Sequence, residues 1–378
     1  MRHPDLWRPE AYRSISRYQW VDFLRGVGCL LVIFHHSQIP VLGWFWWVLD
    51  LFFVTSGALI TRIMLQIRDH DRPLMEFFVF RAGRLLPAMV LFYLGLVLAT
   101  PVLGLDTKIA DLLPYVLMYQ NTDFYLLDGA QLPRVRVLGH FWSLIVEEHF
   151  YLLWGVFGLL YLLPKINYTR LFIIAALLLA FAMTARIAGL HMWTLVARLD
   201  SFVVGSLMGV LIFADVALPP AIAARKKTIY KVYLGAVALS FLWALRGIYV
   251  FIVTPDYGDF GVSPWFDVLP NAILCSYIVL WMLHLDAVRR KMSVLSKSFA
   301  WFGVISYEAY LFHFPYYFGL RKFGSVEFRS QHLLQFVIVL GATMVTAYLV
   351  NRYVTRPVMK RRQLLYDIVN RLIPARTA

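Results

Sequence analysis

Apolar runs of about 20 residues, enough to cross a hydrocarbon core of roughly 30 Å as helix, recur from Val21 to the neighbourhood of Tyr353. A bilayer core offers no water to unpaired backbone groups, so a chain built from such runs satisfies its amides within helices. Spans are expected near 21–39, 46–66, 85–103, 141–163, 171–190, 200–217, 232–254, 268–285, 300–320 and 333–352. With 60% hydrophobic residues, 15% charged residues and a mean hydropathy of +0.66, the expected class is an all-α polytopic membrane protein. About ten transmembrane helices are expected.

Placing the N-terminus in the cytoplasm puts most of the 36 Lys and Arg on that side. They cluster at Arg2/Arg8/Arg13/Arg17, Arg62 to Arg84, Arg225/Lys226/Lys227, Arg289/Arg290/Lys291 and Lys360/Arg361/Arg362. An even number of spans then makes both termini cytoplasmic. The net charge of +14 follows from topology and inner-leaflet lipids, with no nucleic acid implied. No cleaved signal peptide is expected, because no short apolar core with a small-residue cleavage site opens the chain. Cys29 and Cys275 both fall in expected spans and make neither a disulfide framework nor a metal spacing. No linker divides the chain, so residues 1–19 are taken as a cytoplasmic segment, 20–357 as one membrane domain and 358–378 as a basic cytoplasmic tail.

Ionisable groups inside spans are costly and face a partner or a cavity. The first span carries Arg25 and, eleven positions on, His36, about 16 Å along a helix. Arg25 reads as a snorkelling anchor or as a functional cation. His35 and His36 point about 100° apart, so only one faces a given cavity. In the fourth span, "HFWSLIVEEHFYLLW", residues His140, Ser143, Glu147 and Tyr151 share one helix face while Glu148 points aside. Glu147 lies at a depth comparable with His36, where a carboxylate could orient the imidazole while it takes a proton from a nucleophile. A proton-coupled transporter with an intramembrane His/Glu relay fits the same residues. Ser56 and Gly57 in "DLFFVTSGALI" read as helix packing. Arg81 and Arg84, three apart at the mouth of the third span, suit a phosphorylated ligand or simply obey the positive-inside rule. Arg198 and Asp200 open the sixth span, and Ser306, Tyr307, Tyr310 and His313 lie on the ninth. Loops 104–139 and 255–267 mix Asp and Tyr in a manner suited to hydroxyl-rich ligands, and equally ordinary for exposed loops.

Read together, "LRGVGCLLVIFHH", "DLFFVTSGALIT", "FRAGRLLPA", "HFWSLIVEEHFYLLW", "RLDSFVVGSLMG" and "ISYEAYLFHFPYY" resemble, in order and spacing, the integral-membrane acyltransferase family 3, in its stand-alone form. The resemblance covers about residues 20–357, essentially the whole chain, and makes the membrane domain an acyltransferase domain. The chain departs from the family at His149, Glu308 and Thr355, where Gln, Ser and Glu are frequent.

The resemblance implies an O-acyltransferase of a bacterial inner membrane, with acyl-CoA, acetyl-CoA first among them, as donor and no metal. The acceptor would be a hydroxyl of a surface glycan, a lipid-linked sugar or another hydroxylated molecule. His36 and Glu147 would be catalytic, Arg25, Arg81 and Arg84 would hold the donor, and His35, His140, Trp142, Ser143, Glu148, Arg198, Asp200, Tyr307 and His313 would support the substrates. Tyr307, Ser143 and Trp142 are the candidates for stabilising an oxyanion. A transporter of acyl groups or anionic solutes is the alternative from a different class.

Overall fold

The structure, a computed structural model, describes residues 12–13, 15, 17–37, 39, 47–102, 108–125, 132, 135–253, 264–324 and 331–372. Most of 1–19, Asp106, Asp128, residues 254–263 of the second loop and 373–378 therefore lie outside the described residues.

Twelve helices organise the bundle: α1 (Gln19–His35), α2 (Val48–Ile67), α3 (Pro73–Val102), α4 (Phe141–Phe157), α5 (Tyr168–Ile187) and α6 (Leu199–Phe213), then α7 (Lys226–Val253), α8 (Pro264–Ala287), α9 (Val294–Val304), α10 (Ser306–Phe323), α11 (His332–Val350) and α12 (Arg362–Leu372). Among the described residues there is no strand. Among the described residues eight helices are long and apolar enough to cross a membrane: α2 to α8, and α11 with its extension. The chain is an integral membrane protein. α1, with 17 residues, and the polar α10 fall outside that set of eight, although both occupy expected spans.

The expected ninth span, 300–320, is not one helix. It breaks at Ile305 (φ −100°, ψ 11°), whose N–H turns back to Phe302 O at 3.1 Å in a tighter turn. The third begins earlier than expected, at Pro73, and runs through Pro87. Pro87 cannot donate to the Gly83 carbonyl four residues before it, a lost hydrogen bond that membrane helices tolerate. Residues 362–372 form α12, which lies along α3: Arg72 donates to Asn370 Oδ1 (2.5 Å), and Arg362 sits 5.1 Å from the Phe80 ring centre.

Two close crossings set the frame. Gly26 of α1 faces Phe299 and Gly303 of α9, and a Cβ at Gly303 would overlap the Asp22 carbonyl. In the same way Gly205 of α6 lies against the Val54 carbonyl of α2. Small residues let backbones approach where lipid supplies no hydrophobic drive between helices. α1 and α2 are thereby each fixed against a close partner, and they also touch each other, with Gly28 of α1 against Phe52 and Val48 of α2.

Candidate active site

α1 ends in the middle of the protein, and its last carbonyls need donors. α10 supplies two of them, from positions 317 and 321, on the face that also carries His313, each position four apart. Tyr317 OH donates to Ile33 O (2.9 Å), and Arg321 Nη2 donates to His36 O (2.5 Å), a cation at a helix C-terminus. His36 caps α1, so these bonds fix its backbone.

The ring tautomers follow from the carbonyls, which only accept. His313 Nδ1 faces Tyr310 O at 2.6 Å and therefore carries its proton, which leaves Nε2 bare. His36 Nδ1 faces Val32 O at 3.0 Å and likewise carries its proton, which it shares with His313 Nε2 at 3.1 Å. In the neutral ring the remaining nitrogen, His36 Nε2, is a lone pair. It makes no hydrogen bond among the described residues and is not sealed in the interior. His140, at the start of α4, donates from Nε2 to Leu311 O (3.2 Å), and its buried Nδ1 has no donor among the described residues. Phe314 stacks on His140 (5.0 Å between centres) and stands edge-on to His36 (5.1 Å); His35 stands edge-on to His36 from the other side (5.2 Å). Among the described residues no three His, Cys, Asp or Glu side chains are grouped to hold a metal.

The polar stripe of α4 meets a different neighbour at each turn. Ser143 Oγ and Tyr310 OH are 2.5 Å apart, and Tyr310 OH also reaches His140 O at 2.9 Å. Glu147 Oε1 accepts from Ser56 Oγ of α2 (2.5 Å) and from Tyr151 OH. Arg81 of α3 lies flat on the Tyr151 ring at 3.3 Å and pairs with Glu148 at 3.4 Å. The expected meeting of His36 with Glu147 is not formed: histidine bonds to histidine, and the carboxylate belongs to the arginine end. Glu148, expected to point aside, is the partner of Arg81.

Arg84 and Arg25 are half-buried and form no hydrogen bond or ion pair among the described residues. Arg25 and Arg81 both act on Arg84 electrostatically. Three guanidinium groups thus share a region that holds one close carboxylate pairing, an arrangement suited to phosphate. Beside it, buried Glu308 accepts from Asn351 Nδ2 (3.0 Å), where α11 widens into a π turn at Asn351–Thr355.

Arg198 and Asp200 do not pair with each other. Arg198 reaches Asp50 Oδ1 (3.3 Å), which also accepts from Ser201 Oγ (2.8 Å). Asp200 receives both guanidinium nitrogens of Arg186, at 2.9 and 2.8 Å. The side chains of that second pair are both 0% exposed, so it ties α5 to α6 as framework. Of the oxyanion candidates, Tyr307 spends its proton on Leu85 O (3.3 Å) and Ser143 is bound to Tyr310. Trp142 Nε1 has no acceptor among the described residues, and its ring stacks on Trp193 at 5.9 Å. Sequence reasoning placed Tyr310 on the ninth span without a role and missed Arg321 and Arg186; the four-residue recurrence 313, 317, 321 was the available signal for Arg321.

An all-helical membrane bundle with an unpartnered imidazole nitrogen toward one end and poorly neutralised arginines toward the other has the layout of a membrane-embedded transferase. The chain belongs to the acyltransferase domain family, acyltransferase 3, whose profile matches residues 18–352. It is 25% identical over 371 residues to the peptidoglycan O-acetyltransferase OatA of Listeria monocytogenes, covering 92% of this chain and 56% of that protein. To the O-acetyltransferase OatA of Staphylococcus aureus it is 26% identical over 381 residues, covering 94% of this chain and 60% of that protein. The chain therefore spans rather more than half the length of these relatives. No solved structure matches it.

Proposed function

We propose that this protein is an O-acetyltransferase of a bacterial plasma membrane that moves an acetyl group from acetyl-CoA to a hydroxyl of a carbohydrate acceptor. The observation that carries the reading is the bare Nε2 of His36, held in that tautomer by Val32 O and His313. In the proposed step Nε2 takes the proton of the acceptor hydroxyl as its oxygen attacks the thioester carbonyl. The C–S bond breaks, and the CoA sulfur leaves with the proton from the imidazolium.

Arg84 and Arg25, with Arg81 beside them, hold the phosphates of the donor, and the pantetheine arm carries the thioester to the histidines. Glu147 acts at this donor end, positioning Tyr151 and through its ring Arg81. With about ten spans and both termini cytoplasmic, the arginines face the acyl-CoA pool and the histidines face the outer leaflet. Both relatives are O-acetyltransferases, which supports the acetyl group, and the Listeria monocytogenes protein acts on peptidoglycan, which supports a glycan acceptor.

The test is transfer from radiolabelled acetyl-CoA to envelope material in membranes carrying the native protein or His36→Ala. Label in a glycan that disappears with the variant supports the reading. Equal labelling by both would overturn it, and solute flux with no new covalent product would return the transporter.

A further inference from the structure

α12 lies outside the candidate site and beyond residue 352, where the family profile ends. At about 100° per residue, Leu364, Ile368, Leu372, Leu365, Val369 and Tyr366 share one apolar arc of roughly 200°. Gln363, Asp367, Asn370 and Arg371 fill the remainder and are exposed. Half of the apolar arc is taken up by α3. Leu365, Tyr366 and Val369 are half-buried, the Tyr366 and Phe80 ring centres are 6.3 Å apart, and a Cβ at Gly83 would meet Leu365 Cδ1 at 3.5 Å. The other half is uncovered: Leu364, Ile368 and Leu372 are 55%, 46% and 75% exposed.

The position of α12 identifies what covers that edge. α11 and its extension are apolar enough to cross a membrane as far as Lys360, and α12 starts at Arg362, so only Arg361 separates it from a membrane helix. It then runs antiparallel to the start of α3, with Arg362 at Phe80 and Asn370 at Arg72. On α3 the first large apolar side chain left exposed is Leu86, so hydrocarbon contact begins about one turn beyond Gly83. Two spans thus hold α12 at the level of the headgroups, where an amphipathic helix turns its apolar edge to the acyl boundary and its polar edge to water.

Charge selects the headgroups. From Asn351 to Leu372 the chain carries six Lys or Arg against one acid, Asp367, so the complementary surface is anionic. Lys360, Arg361 and Arg371 are exposed and form no ion pair among the described residues. Gly83, on which Leu365 rests, stands between Arg81 and Arg84, so whatever holds α12 also holds the segment of α3 that carries those arginines.

We infer that α12 docks on an anionic lipid surface through Leu364, Ile368 and Leu372, with Lys360, Arg361 and Arg371 at the headgroups, and thereby braces the Arg81–Arg84 segment of α3. The docking rests on the geometry and charge of α12 alone. Its consequence for the donor rests on the acyl-transfer reading.

The test uses the full chain in nanodiscs of phosphatidylcholine with or without phosphatidylglycerol, carrying one nitroxide at Ile368→Cys or at Asp367→Cys; the native Cys29 and Cys275 are buried. With phosphatidylglycerol present, oxygen should collide mainly with the label at 368 and a water-soluble nickel chelate with that at 367, a contrast of about tenfold between adjacent residues. Omitting phosphatidylglycerol, or changing Lys360→Gln together with Arg361→Gln, should remove most of that contrast. A label at 368 shielded from both reagents means that a protein covers the edge, and one reached by nickel means that water does; either overturns the docking. A contrast indifferent to phosphatidylglycerol overturns the anionic assignment. A second arm measures equilibrium binding of labelled acetyl-CoA in the same discs. Ile368→Asp should weaken it about 3- to 10-fold, the equivalent of losing about one hydrogen bond at the arginines, and native protein in phosphatidylcholine alone should match that variant. Donor binding that tracks α12 in discs that show no acetyl transfer leaves the inference and removes the acyl-transfer reading. Transfer with donor binding indifferent to Ile368→Asp keeps that reading and overturns the brace.

Discussion

Replacing His36 and His313 separately discriminates between two histidines that sit 3.1 Å apart. Both ring nitrogens of His313 are engaged, one by Tyr310 O and one by His36, so His313 has no free position for an acceptor hydroxyl. His36 has one. His36→Ala removes the proposed base and should lower acetyl transfer by about 10²- to 10⁴-fold. His313→Gln removes at most one of the two bonds that hold the His36 tautomer, since Val32 O remains. One hydrogen bond contributes about 0.5–1.5 kcal/mol, so the expected loss is about 2- to 13-fold. The assay is initial-rate transfer from labelled acetyl-CoA by purified protein, with CoA release followed in parallel and detergent melting as a check on folding. A loss for well-folded His313→Gln equal to or greater than that for His36→Ala would refute the assignment of the base to His36.

Arg84→Met should raise the KM for acetyl-CoA by about 10- to 100-fold, the equivalent of one charge-assisted contact, with the acceptor KM unchanged; initial rates at varied donor check it. For Glu147→Gln the donor KM should rise while kcat at saturating donor falls less than tenfold, because Glu147 bonds to Ser56 and Tyr151; a kcat collapse at unchanged KM in the same assay would restore a role at His36. Asp200→Leu leaves Arg186 buried without its counter-charge, a loss of about 3–5 kcal/mol visible as a lowered melting temperature in detergent. The double change Arg186→Met with Asp200→Leu should recover most of that loss, since both charges leave together. Gly303→Leu should abolish folded protein, judged by monodisperse elution, because its side chain would occupy the place of the Asp22 carbonyl.

Much of the helical framework was legible because membrane spans announce themselves locally, by length and apolarity. α2 and α4 to α8 lie near their expected positions for that reason. The break at Ile305 was not legible, since "AWFGVISYEAY" keeps helical composition throughout and the turn depends on how α9 seats against Asp22 through Gly303. The residue types of the candidate site were readable too, as ionisable groups in apolar surroundings. Their pairing was not. His36 and His313 are 277 positions apart, and Asp50 and Arg198 are 148 apart. Depth along a span constrains such meetings, but the rotation of each helix about its axis decides them. Two side chains at one depth, His36 and Glu147, could therefore be matched from sequence and yet bond to different helices.

The adjacent glutamates of α4 make physical sense once the helices around them are in place. Neighbouring positions on a helix diverge by about 100°, so Glu147 reaches Ser56 of α2 while Glu148 reaches Arg81 of α3. One carboxylate alone could not serve both sides. Three arginines without any counter-charge would repel one another in a medium of low dielectric, and a full complement of carboxylates would leave nothing for a phosphate. Glu148 neutralises Arg81, whose guanidinium also lies over the Tyr151 ring, and Arg84 and Arg25 form no ion pair among the described residues. At the other end the histidines are packed against Phe314 and against one another, with no carboxylate among the described residues hydrogen-bonded to His36, His140 or His313. A neutral imidazole next to neutral imidazoles keeps its lone pair. α4 therefore separates, along about three turns, a cluster of guanidinium groups from a cluster of imidazoles, and the proposed transfer from a nucleotide thioester to an alcohol would draw on both.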